Sequence, residues 1–179
     1  PSDICKAVDL LANPHVGRQD VVRVSVLDHM MRPMSDSYMV NVGGVGIDAR
    51  VCANVNAQKT AGRRGKVLYV KALVQCLMKR VPVVARVFCD GEEVFYGKYF
   101  SIAFGVGKYS GGGMRQTPLA VMDDGLLEVV IIPDISMWTI ARKAPRLFTG
   151  TFHKVDILTQ ARCREVIVLP YGPADAEPV

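Results

Sequence analysis

Residues 111–132, GGGMRQTPLAVMDDGLLEVVII, bring three consecutive glycines and a pair of aspartates into one loop-to-strand stretch. Gly111, Gly112 and Gly113 carry no side chains, so a ligand or a second segment of backbone can approach them closely. Asp123 and Asp124 stand side by side ahead of Gly125. A hard cation such as Mg²⁺ takes oxygen ligands from one or two carboxylates together with carbonyl groups. The same residues also describe a flexible loop followed by a tight turn, and spacing alone does not choose between the two readings.

Elsewhere the chemistry-bearing residue types are sparse. Gly44-Val45-Gly46-Ile47-Asp48-Ala49 has the glycine spacing of a dinucleotide fingerprint. No acid follows about 20 positions later to hold a ribose, so these glycines read as close-packing positions of a strand. In Gly62-Arg63-Arg64-Gly65-Lys66 the glycines are too close together for a phosphate loop, and Val67 stands where that loop needs Ser or Thr. His15, His29 and His153 lack a second ligand three or four residues away, so neither a zinc site nor a serine triad can be argued, and each reads as a loop or surface histidine. The single tryptophan, Trp138, reads as core or half-buried. Cys5, Cys52, Cys76, Cys89 and Cys163 are odd in number, form no CxxC pair and sit in apolar segments, which predicts buried thiols in a reducing cytoplasm.

Charge is concentrated. Between Ala49 and Cys89 there are nine Lys and Arg and no acid, which leaves the rest of the chain net acidic. Such a surface attracts anionic lipid headgroups, nucleotide phosphates or nucleic acid, or it is simply a solvated face. Aromatics are 7% of the chain and few interleave with these cations, which argues against nucleic acid.

The elements that must position these residues can be read from periodicity. Half of the 179 residues are apolar and 22% are charged, which excludes a disordered tail, and no apolar run approaches the roughly 20 residues of a membrane helix. Ser2 is placed to cap a helix running to Asn13, with Ile4, Val8 and Leu11 at helical spacing and Pro14 as its stop. An alternating strand at 21–27 is expected to turn through RPMSDS into a second extended run, YMVNVGGVGI. Residues 65–80 carry the pattern of an amphipathic helix. VPVVARVFCDGEEVFYG reads as a hairpin about Asp90-Gly91, followed by separate strands in KYFSIAFGVG and GLLEVVIIP. Ser136 opens a helix that Pro145 interrupts and Gly150 ends, and REVIVLP supplies the last strand. The fold class this predicts is α+β and mainly β: an antiparallel sheet or sandwich with a few flanking helices.

Three colinear stretches carry a family resemblance. GKYSGGGMRQTPLAVMDDGLLEVVII resembles the glycine-rich loop and the P…A…DDGLLDV strand of the diacylglycerol kinase catalytic family, the lipid kinases related to sphingosine and ceramide kinases. YMVNVGGVGIDARV is similar to its NV…GFDA segment, and APRLFTGTFHKVDILTQARCREVIVLP to its ending. The resemblance covers nearly the whole chain.

It implies that residues 1–179 are the C-terminal β-sandwich lobe of a two-lobe, ATP-dependent lipid kinase acting on diacylglycerol or a related lipid. The nucleotide-binding lobe with its GGDGT loop and the extreme C-terminal DGE segment carrying the general base would lie outside these residues, so the chain alone is expected to transfer no phosphate. By the same resemblance Asp124, with the carbonyls of Val121 and Leu126, binds Mg²⁺. Asn41, Lys108 and Gly111, Gly112 and Gly113 border the substrate cleft, and ATP binds mainly to the other lobe. Val106 stands where the family has Asn. The implied partners are a lipid substrate, the nucleotide-binding lobe and an anionic membrane surface, with a homo-oligomer possible through uncovered apolar surface, and the implied location is the cytoplasm, peripheral at a membrane. The alternative is a non-catalytic lipid-binding or regulatory sandwich module.

Overall fold

A computed structural model of the protein describes residues 4–14, 16–47, 49–53, 83–110 and 113–171. The helix expected at 65–80, most of the acid-free basic stretch, Cys76, His15, Gly111 and Gly112 lie outside the described residues.

A nine-residue helix, α1 (Ile4–Ala12), is followed by three strands, β1 (Val22–Leu27), β2 (Pro33–Met39) and β3 (Val42–Gly46). The hairpin β4 (Val83–Cys89) and β5 (Glu92–Gly105) leads to β6 (Leu127–Pro133). Two short helices, α2 (Met137–Lys143) and α3 (Arg146–Thr149), a 3₁₀ turn at Phe152–Lys154, and strands β7 (Thr159–Cys163) and β8 (Val166–Tyr171) complete the fold. Among the described residues every pairing is antiparallel, and two sheets result: β1 with β2, and a six-stranded sheet in the order β7-β6-β5-β4-β8 with β3 also on β5.

β5 is the spine of the larger sheet. Tyr99 faces Val83 on one edge and Pro133 on the other, and residues 101–105 face β3 and β6, so β4 and β3 share one edge of a single 14-residue strand. The sequence pattern divided this run into two strands. The structure carries it through without a break, because Gly97 does not end the ladder and Lys98 still faces Val84.

The hairpin turn obeys its residues: Asp90 and Gly91 adopt φ of 50° and 87°, the left-handed values that a tight primed turn requires. On β4 the expected alternation appears, with Ala85, Val87 and Cys89 buried. β6 departs from alternation because both of its faces are covered. Val129 and Ile131 join Ile102, Val87 and Leu127 in the main core, while Val130 packs on the opposite side with Phe152 and Val155. Each such fully buried Val or Ile contributes about 1.5–3 kcal/mol.

Three other expectations change. RPMSDS is not the first hairpin's turn: it forms most of β2, and the chain reverses at residues 28–32, where the Asp28 carboxylate accepts the Met30 and Arg32 N–H groups. Cys5 and Cys52 are exposed, and only Cys89 and Cys163 of the described cysteines are buried. Trp138 is not a core residue. It is 86% exposed.

Candidate functional site

The segments that carry the chemistry-bearing residues meet at one end of the larger sheet. Val42 faces Gly105, Gly105 faces Glu128, and Glu128 faces Arg162, so one row of residues crosses β3, β5, β6 and β7. Asn41 lies at the start of that row, Lys108 just past the end of β5, and the Asp123-Asp124 turn just ahead of β6.

Asn41 holds the strand end by its backbone. Its carbonyl accepts the N–H groups of Val106 at 3.0 Å and Gly107 at 3.3 Å. A Cβ at Gly107 would collide with the Asn41 side chain, so glycine here leaves that side chain in place. From the other side the buried Thr117 hydroxyl donates to the Gly107 carbonyl at 2.7 Å. The segment 105–107 is thereby clamped, and it delivers Lys108 and Tyr109 to the surface. Val106 itself is buried in the main core, a position suited to an apolar residue.

Beyond it the glycine loop is closed by the Ser110 N–H on the Met114 carbonyl at 2.8 Å and the Gly113 N–H on the Ser110 carbonyl at 3.3 Å, with Gly113 at φ 82°. Arg115 leaves the loop with its guanidinium 5.1 Å from the centre of the Tyr109 ring, a cation–π distance. Its N–H donates to the Leu147 carbonyl at 2.7 Å, which ties the loop to α3.

The aspartate turn is built by its own carboxylates. Asp124 Oδ1 accepts the Leu126 N–H at 3.0 Å, and Oδ2 pairs with Arg162 across from β7. Asp20 closes the outside of the turn, its N–H donating to the Met122 carbonyl and its carboxylate accepting the Gly125 N–H, both at 2.6 Å. Asp123 is exposed, as is Val121, and Leu126 is half-buried.

Behind the turn, Glu128 is 2% exposed; its Oε2 accepts the Leu119 N–H at 2.6 Å while Oε1 has no hydrogen-bond partner among the described residues. Burial pushes this carboxyl above its ordinary range, opposed by the Leu119 and Ala120 N–H groups and by the positive charges of Arg162 and Lys108. The donor set on offer to a cation, one carboxylate and neighbouring carbonyls, is all oxygen and suits a hard ion. Among the described residues no cluster of three His, Cys, Asp or Glu adds further ligands.

Of the residues singled out in the sequence, Asn41 and Lys108 belong to one clamped strand end and Asp124 to the turn two strands along. Gly113 closes the loop between them. Sequence reasoning missed Asp20, Arg162, Thr117 and Glu128. The first two are distant in the chain and reach Asp124's turn only through folding, whereas Glu128, an acid inside the apolar run LLEVVII, was a visible signal. The chain's Asp-Gly-Glu tripeptide, residues 90–92, is a turn: the Asp90 carboxylate accepts the N–H groups of Arg164 and Glu165 and is committed to joining the β4–β5 and β7–β8 turns.

Comparison with known proteins agrees with this architecture. Residues 41–178 match the family described as the YegS C-terminal NAD kinase beta sandwich-like domain, and the chain belongs to that family. It is 30% identical over 147 residues to a "Probable lipid kinase YegS-like" protein of Xanthomonas axonopodis pv. citri, covering 81% of this chain and 44% of that protein. It is 26% identical over 133 residues to a diacylglycerol kinase of Mycobacterium tuberculosis, covering 74% and 42% respectively. The chain thus spans less than half the length of these relatives. Its fold superposes on the crystal structure of a diacylglycerol kinase from Bacillus anthracis str. Sterne with a TM-score of 0.63 and 18% identity, covering 96% of this chain and 52% of that one. Among the described residues no helix is long and apolar enough to cross a membrane.

Proposed function

We propose that this chain is the C-terminal lobe of an ATP-dependent lipid kinase that moves a γ-phosphoryl group onto a hydroxyl of diacylglycerol or a related lipid. The observation that carries this reading is family membership across residues 41–178, with relatives named as lipid and diacylglycerol kinases. In the reaction the lipid oxygen bonds to the γ-phosphorus, the bond to the β-phosphate oxygen breaks, ADP leaves and the hydroxyl proton passes to a base. Neither a GGDGT nucleotide loop nor that base is assigned to these residues; both belong to segments outside them.

What these residues contribute is positioning and charge. Asp124, with the carbonyls of Val121 and Leu126, is the proposed Mg²⁺ ligand set, and the ion's contribution when bound is to neutralise charge on the transferring phosphoryl group. Arg162 orients the Asp124 carboxylate, and would share or yield Oδ2 to the metal. The Asn41–Thr117 clamp fixes the strand end from which Lys108 and the glycine loop border the cleft.

The test is a lipid-phosphorylation assay over a panel of lipid alcohols, using the chain alone and the chain joined to a GGDGT-containing lobe. Labelling is expected only from the joined protein. Within it, Asp124→Asn should lower kcat on the order of 100-fold, as loss of a transition-state charge contact does. Because the Arg162 pair is partly exposed, stability should fall by no more than about 1 kcal/mol. Asp123→Asn is the control and should leave turnover unchanged. Normal turnover and Mg²⁺ dependence in Asp124→Asn would refute the metal assignment, and lipid binding without labelling by the joined protein would leave the non-catalytic module.

A further inference from the structure

The segment from Ile135 to Val155 holds four cationic side chains, Arg142, Lys143, Arg146 and Lys154, and no acid. It contains the most exposed aromatic of the described residues, Trp138 at 86%, and Phe148 at 58%. A tryptophan left in water by its own fold, on a segment with four cations and no acid between Asp134 and Asp156, is the composition of a surface that seats in an anionic bilayer interface.

The local structure explains why the aromatics face outward. Ser136 caps α2, its Oγ accepting the Thr139 N–H at 3.2 Å, and Pro145 interrupts the hydrogen bonding while keeping helical φ and ψ of −57° and −26°. Helical φ and ψ at Ala144 and Pro145 join the two helices directly, with the bonding tightening to Leu147 N–H on the Ala144 carbonyl at the break. Leu147 points into the small core of Val130, Phe152 and Val155. Trp138 and Arg142, one turn apart on one face of α2, are both exposed.

We infer that the α2–α3 corner is a membrane-docking surface, with Trp138 and Phe148 entering the headgroup region of an anionic bilayer and the basic side chains meeting lipid phosphates. The corner is joined to the glycine loop by the Arg115 N–H on the Leu147 carbonyl and by the contact of Arg115 with Gly150, so a docked corner holds that loop at the lipid surface. The inference rests on the lipid-kinase reading only in choosing a lipid partner. Its residues are separate in sequence from the acid-free stretch at 49–89.

Trp138 is the chain's single tryptophan, so its own fluorescence reports the docking without any phosphoryl transfer. The protein is titrated with phosphatidylcholine vesicles and with vesicles carrying about 30% phosphatidylglycerol, the latter to supply negative surface potential. The expected result is solvent-exposed emission in the free protein and a blue shift with anionic vesicles only. Arg142→Ala with Lys143→Ala should weaken binding about 25-fold, about fivefold for each cation. Phe148→Ala should weaken it and lessen the shift while leaving the far-ultraviolet spectrum unchanged. Three results would overturn the inference: vesicle binding with unshifted Trp138 emission, emission already blue-shifted in the free protein, or a shift driven by protein concentration without lipid, which would make the corner a contact between copies.

Discussion

Glu128 is held where a carboxylate is costly. It lies on a strand buried on both faces, with one oxygen on the Leu119 N–H and the other unpartnered among the described residues. Its pKa in the folded protein lies above the usual 4.5, so the folded state binds its proton more tightly than the unfolded chain does. The contribution to stability is therefore full below the ordinary carboxylate range and is lost as pH rises through the raised value. Glu128→Gln keeps an acceptor for Leu119 and carries no charge to desolvate. Urea unfolding midpoints followed from about pH 4 to about pH 9 should decline in the parent and flatten in the variant. Parallel profiles would show that Glu128 ionises without cost. A buried acid was legible in LLEVVII, and so was Asp124 as a turn residue. The salt bridge from Arg162 was not, because 38 residues separate the partners and only the β6–β7 register brings them together.

Local punctuation decided the elements it could reach. Ser136, Pro145 and Gly150 set the ends of α2 and α3 where the sequence put them, since a cap, a missing N–H and a left-handed φ act within a few residues. Asp90-Gly91 set the β4–β5 turn for the same reason. The continuity of β5 was hidden because it depends on two neighbours along one edge, and β7 was missed because TQARC carries too little apolar alternation to stand out. Gly150 offers a direct measurement: at φ 74° it adopts the left-handed conformation, and a Cβ there would press on the Arg115 side chain. Gly150→Ala should cost about 1–2 kcal/mol by chemical denaturation, and Gly150→Asn distinctly less, because Asn tolerates that conformation. Equal losses would place the cost in the Arg115 contact rather than in the backbone.

At the scale of the whole molecule the described residues divide into a six-stranded sheet whose buried positions lie mainly on β4, β5 and β6, and more exposed additions. α1 turns Ile4, Val8 and Leu11 to solvent, and β2 is exposed along almost its whole length. That the strands pair antiparallel was readable from period-two patterns and turn residues, whereas their order in the sheet was not. The meeting of the candidate site segments at one end of the sheet was not, since it follows from registers that join Val42 to Arg162.

The spine strand also sets a kinetic order. Residues 101–105 of β5 are flanked on both edges, by β3 and by β6, and their amides point alternately to one and the other, so the fraying of one neighbour frees only part of the set. Opening the whole set requires separating segments drawn from residue 42 to residue 133 at once. The β1–β2 ladder has only two strands and needs no such concerted event. Native-state hydrogen exchange should therefore find the amides of 101–105 released as a complete set only by global unfolding, with the β6-facing amides showing a denaturant dependence equal to that of the full transition. Those of 22–27 should escape by local opening nearly independent of denaturant. Exchange of both groups at one common rate would mean that the hairpin and the spine unfold as a single cooperative unit.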